Sequence, residues 1–272
     1  MYKERSITVV IPALNEEPSI AQVINGLFDL KICKSCWNPE LDSADCSCTE
    51  YVSVVDQIIV CDNGSTDNTA TEARNCGALV VEEPERGYGA ACLAALAAPV
   101  EKDIIAFVDG DHSVVAEELP ALLDPLFAGA DLVIGSRTLG ETEKGALSIP
   151  QAFGNHLASA LIRLLWKAKV TDLGPFRAIT NRALVELKMS DRKFGWTVEM
   201  QVLALQQHKR VVEVPVTTKR RIGQSKISGT LRGVIGAAHG ILGTIAKLYI
   251  RGLSTKPASQ VSDTADKPKS DV

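Results

Sequence analysis

Residues Ile104-Ile105-Ala106-Phe107-Val108-Asp109-Gly110-Asp111 constrain this chain more than any other stretch. Five apolar residues run without polar alternation into two carboxylates separated by one glycine. Such a run is the pattern of a strand covered on both faces, as in a parallel sheet. The carboxylates then fall at the strand's carboxyl end, where open α/β sheets place their ligands. Two acids so close repel each other unless a cation or a donor compensates them. Gly110 carries no Cβ, which lets a ligand approach the backbone. The functional reading of Asp109 and Asp111 is a divalent metal site that holds a diphosphate. The plain reading is an Asp-Gly surface turn.

The 272 residues suffice for one large domain or two small ones. With 46% hydrophobic and 23% charged residues, the composition is that of a soluble globular protein. A net charge of -4 provides no global field for nucleic acid, so no nucleic-acid partner is expected. Met1-Tyr2-Lys3-Glu4-Arg5 leads directly into a strand-like run, which argues against a secretory signal. No apolar run reaches the roughly 18 residues of a transmembrane helix. Seven cysteines without an export signal point to thiols or metal ligands in a reducing, cytoplasmic setting.

Along the chain, strands are expected at Ser6–Ile11, Ile58–Cys61, Leu79–Val81, Ile104–Val108 and Leu132–Ile134. Helices alternate with them: Pro18 to Leu30, one capped by Ser65 or Thr66 and running to Cys76, Ala90 to Ala98, and Val115 to Phe127. This alternation predicts a doubly wound, mostly parallel α/β sheet with flanking helices. Further helices are expected over Gln151–Lys169 and Gly195–His208, and an edge strand over Val211–Val216, which contains Pro215. Residues 31–56 form an insert too long for an ordinary connection, and residues 252–272 a disordered polar tail. The last helix, 227–251, is amphipathic, with Arg232, His239, Lys247 and Arg251 opposite Val234, Ile241, Leu242 and Ile245. Either a membrane surface or packing within the protein or a homo-oligomer accounts for that face.

Five stations in this order carry a family resemblance: Ile11-Pro12-Ala13-Leu14-Asn15-Glu16-Glu17, Asp62-Asn63-Gly64-Ser65-Thr66-Asp67, Asp109-Gly110-Asp111, Gly174-Pro175-Phe176-Arg177 and Arg221-Ile222-Gly223-Gln224-Ser225-Lys226. Together they resemble the family 2 nucleotide-sugar glycosyltransferases, in the branch of dolichol-phosphate mannose and glucose synthases and bacterial polyprenyl-phosphate glycosyltransferases. The resemblance implies one GT-A domain over residues 1–251 and an inverting, metal-dependent transfer of a hexose from a UDP- or GDP-sugar to a polyprenyl phosphate. Carried over, Pro12, Ala13, Leu14, Glu16, Asp62, Asn63, Arg86, Asp109 and Gly110 would bind the donor. Asp109 and Asp111 would hold Mg²⁺ or Mn²⁺. Arg137, Arg177, Arg221, Ser225 and Lys226 would hold the acceptor phosphate. Two departures stand out: Asn63 replaces a frequent second aspartate, and Ser113 occupies the place of a glutamine that often helps the metal.

Several alternatives stay open at this point. A hydroxyl acceptor would need a carboxylate base, for which Glu199 or Asp172 is the candidate. Arg177 and Glu199 could instead form a structural ion pair. Cys33, Cys36, Cys46 and Cys48 could bind a structural Zn²⁺ or be plain reduced thiols. The segment Gly87-Tyr88-Gly89 lacks the third glycine of a dinucleotide fingerprint and follows the wrong strand. A non-catalytic nucleotide-sugar-binding or assembly subunit is the rival from another class. For the enzyme, the expected place is cytoplasmic, peripheral on the cytoplasmic membrane face through the last helix.

Overall fold

A computed structural model of the chain describes residues 2–33, 50–223 and 231–254. The chain opens with β1 (Ile7–Ala13) and α1 (Glu17–Phe28). Pro18 sits in the first turn of α1, where its missing N–H costs nothing, and Ile20, Val23, Ile24 and Leu27 form the buried stripe. β2 (Lys31–Cys33) and β3 (Tyr51–Ser53) pair antiparallel at the base of the insert, a ribbon the alternation of the main sheet gave no sign of. Next come β4 (Gln57–Asp62), α2 (Thr69–Asn75), β5 (Leu79–Glu82), α3 (Tyr88–Leu96) and β6 (Ile104–Phe107).

A 3₁₀ turn at Ala116–Glu118 leads into α4 (Leu119–Phe127). The α-helix therefore starts later than the expected Val115, with a proline in its first turn. β7 (Leu132–Ser136) is followed by α5 (Ile149–Trp166), whose start is set by a capping box between Ser148 and Gln151. The helix ends at Lys167, which is left-handed at φ 53°, short of the expected Lys169. After β8 (Arg177–Thr180) and α6 (Asn181–Leu187) come α7 (Trp196–Gln206), β9 (Val211–Pro215) and α8 (Leu231–Ser254).

Seven strands form one sheet in the order β5-β4-β1-β6-β8-β7-β9. All its neighbours are parallel except at β8, which runs antiparallel to both β6 and β7. The sheet is thus mostly parallel, as expected, with one reversed strand that was not. Four residues beginning with an arginine carry too little apolar pattern to announce a central strand. β9 lies at the edge, which suits Pro215.

Both faces are covered, which explains the unbroken apolar run: Ile104, Ile105, Ala106 and Phe107 are all fully buried. Ile104 and Ala106 join one core with Ile20, Ile24 and Leu27 of α1 and Leu122 and Leu126 of α4. Ile105 and Phe107 join the other with Ala91 and Ala95 of α3 and Trp196 and Met200 of α7. A third core packs Ile162 of α5 and Val198 and Val202 of α7 against Ile245 and Leu248 of α8. Part of the apolar side of α8 is thus used inside the protein. α8 continues to Ser254, over the first residues of the expected tail; residues 255–272 lie outside the described residues. So do Cys36, Cys46 and Cys48, and with them the zinc reading, while Cys33 is buried in β2.

Candidate active site

The carboxyl ends of β1, β4 and β6 open onto a cavity of about 450 Å³. Its lining includes Pro12, Ala13, Leu14, Glu16, Asn63, Arg86, Asp109, Gly110, Asp111, Arg137 and Arg221. Loops that lie far apart in sequence meet here because parallel pairing puts them side by side, Ala13 standing opposite Asp62. The two loops are laced together: Asn15 N–H donates to Ser65 Oγ at 2.9 Å, Glu16 N–H to Thr69 Oγ1 at 2.8 Å, and Thr66 N–H to Asn15 Oδ1 at 2.7 Å. Ser65 and Thr66 therefore tie loop to loop rather than cap α2, whose N-cap is Asn68.

Asp109 and Asp111 stand at the head of β6, on the floor of this cavity. Tyr88 Oη donates to Asp109 Oδ1 at 3.2 Å. Asp111, only 3% exposed, accepts from Ser113 N–H on Oδ1 at 3.0 Å, while its Oδ2 lies 2.5 Å from Arg221 Nη2. His112, left-handed at φ 62°, makes the tight turn that brings the Ser113 N–H back to its predecessor's carboxylate. Burial, then the neighbouring Asp111, pushes the Asp109 carboxyl up to about 7; Arg221, Tyr88 and Arg137 pull it part of the way back. A mutually repelling acid pair with one member buried calls for a cation. Mg²⁺ takes one or two carboxylates and completes its shell with phosphate oxygens and water, so this pair fits it. Among the described residues no cluster of three or more His, Cys, Asp or Glu forms a metal cage. A Cβ on Gly110 would meet Ile11 and Ile20 at 3.4 Å, an ordinary van der Waals contact, so packing on β1 and α1 does not by itself demand a glycine there.

At the end of β4, Asn63 is 6% exposed and fully occupied: Nδ2 donates to the carbonyls of Glu83 and Glu85, and Oδ1 accepts from Gly87 N–H. An aspartate could not make the two donations, which accounts for the departure from the family pattern. Asp62 lies beside it at the end of β4, with Oδ1 on Ser65 N–H at 3.2 Å, but outside the cavity lining. Arg86, at the rim, donates to the Gly64 carbonyl at 3.1 Å.

On the opposite side, Arg137 reaches the cavity while held from behind by Asp172, whose two oxygens take its N–H, Nε and Nη2. Asp172 is fully buried. Burial pushes its carboxyl up, but the hydrogen bonds and charge of Arg137 outweigh this and hold it below the usual carboxylate range.

Arg177 is also fully buried, donating to the carbonyls of Leu173, Gly174 and Thr197. Burial lowers it to about 10, against support from Tyr88 and Asp172. It lies beneath the cavity rather than in its lining, and the ion pair with Glu199 is not formed. Glu199 instead accepts from Ser190 N–H and Oγ and Asp191 N–H, at 2.7–2.9 Å, fastening the turn before α7. Neither Arg177 nor Glu199 touches the cavity. Ser225 and Lys226 lie outside the described residues.

Tyr88 was missed, because Gly87-Tyr88-Gly89 was weighed only as a failed dinucleotide motif. Its glycines have another reason: a Cβ on Gly89 would come within 2.0 Å of the Asp191 carbonyl oxygen. That close approach brings Lys193 and Phe194 to the cavity, where they join Leu147, Gln151, Pro175, Phe176 and Val216.

An acid pair at the head of a central strand, a two-loop cradle beside it and cations facing it form a site of the GT-A type. The comparisons agree. The family described as Glycosyl transferase family 2 matches residues 8–187, and the chain belongs to it. An uncharacterized glycosyltransferase of Mycobacterium tuberculosis is 35% identical over 233 residues, covering 85% of this chain and 93% of that protein. The undecaprenyl-phosphate mannosyltransferase of Micrococcus luteus is 28% identical over 245 residues, covering 85% and 90%. Among solved structures, glucosyl-3-phosphoglycerate synthase from Mycobacterium tuberculosis, in complex with Mn²⁺, UDP and glucosyl-3-phosphoglycerate, superposes with a TM-score of 0.67. It is 24% identical, and the match covers 90% of this chain and 80% of that one, a likeness that carries the fold alone.

Proposed function

We propose that this glycosyltransferase moves a hexose, with inversion, from a UDP- or GDP-sugar to a polyprenyl phosphate, with Mg²⁺ or Mn²⁺ on Asp109 and Asp111. One observation carries the choice of acceptor. Among the described residues the carboxylates lining the cavity are Glu16, Asp109 and Asp111. The acid pair is committed to the cation, and Glu16 lies beside Gly110. Asp172 and Glu199 are engaged elsewhere. A hydroxyl acceptor would need Glu16, the one lining carboxylate outside the acid pair among the described residues, as its base, whereas a phosphate oxygen is already anionic at neutral pH.

The residues divide the work. Pro12, Ala13, Leu14 and Arg86 receive the nucleotide end of the donor. Asp109 and Asp111 would hold a divalent ion, which would supply Lewis-acid stabilisation to the departing diphosphate. Arg137 holds the acceptor phosphate, oriented by Asp172. An acceptor oxygen bonds to the anomeric carbon as the bond from that carbon to the diphosphate breaks, and the diphosphate leaves with the electron pair. One displacement inverts the centre.

A lipid acceptor also suits the cavity's surroundings. Leu147 and Gln151 line it, and next to them at the start of α5 Ile149 and Phe153 are 87% and 67% exposed. Leu242, Ile250 and Leu253 add exposed apolar surface on α8. These faces would rest on a membrane; among the described residues no helix is long and apolar enough to cross one. The undecaprenyl-phosphate mannosyltransferase relative supports the same acceptor class. Calorimetry on Asp111→Ala tests the reading: metal-dependent binding of UDP and GDP should vanish while the fold persists. Unchanged metal-dependent binding and transfer would falsify it.

A further inference from the structure

Both carboxylate oxygens of Asp111 are already engaged, and Oδ2 faces a guanidinium. Oδ1 is held by Ser113 N–H, and Oδ2 is paired with Arg221. The pair is well enclosed, with Asp111 at 4% and Arg221 at 30% side-chain exposure. The segment carrying Arg221 is itself docked on the acid turn: Lys219 N–H donates to the Ser113 carbonyl and Ile222 N–H to the Asp111 carbonyl, both at 2.9 Å. A divalent ion on Asp111 and a guanidinium at the same oxygen would repel each other, so one must yield.

We propose that Arg221 is the built-in counter-ion of the metal-free site, and that its exchange for the divalent ion makes metal and nucleotide diphosphate bind as a unit. This rests on the metal-dependent reading above. Free metal must compete with an arginine already in place, so it binds poorly alone. A donor diphosphate gives the displaced guanidinium a new anionic partner within reach, so its presence favours the exchange. Linkage then requires the converse: metal must tighten the diphosphate by the same factor. Arg221 is therefore a positioning residue that handles charge at both stages, rather than a simple phosphate contact.

Mn²⁺ binding, followed by electron paramagnetic resonance with and without UDP, tests this without turnover. For Arg221→Gln, the nucleotide-free dissociation constant for Mn²⁺ should fall by about tenfold, the scale of one charge-assisted hydrogen bond. The tightening of Mn²⁺ by UDP should shrink by a similar factor. Arg220→Gln is the control, because Arg220 donates to the Lys144 carbonyl and does not pair with Asp111. It removes the same unit of charge and should change Mn²⁺ binding by less than about threefold, as screened surface charge does. Arg221→Lys keeps the charge without the fork, should fall between wild type and Arg221→Gln, and serves if the glutamine variant does not fold. A Mn²⁺ constant within twofold of wild type in Arg221→Gln overturns the proposal, as does an equal shift in Arg220→Gln. If wild type binds no Mn²⁺ even with UDP, the metal-dependent reading itself has failed, and the exchange falls with it.

Discussion

Asp172 grips Arg137 at three points: Oδ2 accepts from the backbone N–H at 2.7 Å and from Nε at 2.8 Å, and Oδ1 accepts from Nη2 at 2.7 Å. The carboxylate is buried and the guanidinium reaches the cavity, so the pair points a positive charge at the site from a fixed base. Behind it, Glu213 accepts from Thr171 N–H and Oγ1 and holds the turn that carries Asp172.

Asp172→Asn breaks this grip and leaves a partly buried guanidinium without its counter-charge. The expected loss is about 2–3 kcal/mol, below the full cost of a deeply buried pair because Arg137 retains some solvent. That corresponds to a fall in Tm of roughly 4–12 °C in a calorimetric scan. The KM for a polyprenyl phosphate should rise by about tenfold, the scale of a misdirected charge-assisted bond, with the donor KM little changed. The pH dependence has a definite sign. The folded Asp172 carboxyl lies below its unfolded value, so its stabilisation is present above about pH 4 and is lost as pH falls through the folded value. Wild-type and Asp172→Asn melting curves should therefore converge in acid.

Glu199 fastens the turn before α7, and we expect it to take no part in the reaction. Glu199→Gln puts an amide donor against N–H groups that need acceptors, costing about 1–3 kcal/mol in a denaturant titration. Its pH–rate profile should keep the wild-type shape, with kcat reduced by no more than about threefold. Loss of the rate's acid limb would restore Glu199 as a base.

Tyr88 holds one oxygen of Asp109 and so orients the other. Tyr88→Phe removes that hydrogen bond while keeping the ring. The Mn²⁺ concentration for half-maximal activity should rise by about tenfold, as when a metal ligand loses its outer partner. Thermal stability should stay close to wild type; an unchanged Mn²⁺ requirement would show that the hydroxyl does not support the metal site.

The acid pair and the strand leading to it were legible because both are local: an unbroken apolar run and the carboxylates that end it. The loops 12–17 and 62–67 were legible as motifs, but not the hydrogen bonds that lace Asn15 to Thr66 and Glu16 to Thr69, which depend on parallel pairing of distant strands. Arg177 and Glu199 lie away from the cavity lining for a physical reason. Charged residues beside a glycine-rich or aromatic motif look like site residues until burial is known, and both turn out to hold backbone in place. β8 escaped because four residues headed by arginine carry no strand pattern. Tyr88 escaped because a lone aromatic between glycines says nothing about which carboxylate it will meet. The pairing of Arg221 with Asp111 spans a separation that no spacing rule reaches.

The central claim, metal-dependent transfer of a sugar to a lipid phosphate, is met most directly by one assay. Purified protein is incubated with radiolabelled UDP- and GDP-hexoses, polyprenyl phosphate and Mn²⁺, and label is counted after extraction into organic solvent. One donor should yield organic-soluble label that requires both the lipid phosphate and the divalent ion and disappears with Asp111→Ala. Label that stays in the aqueous phase with every donor, while a hydroxyl acceptor is glycosylated, would contradict the account.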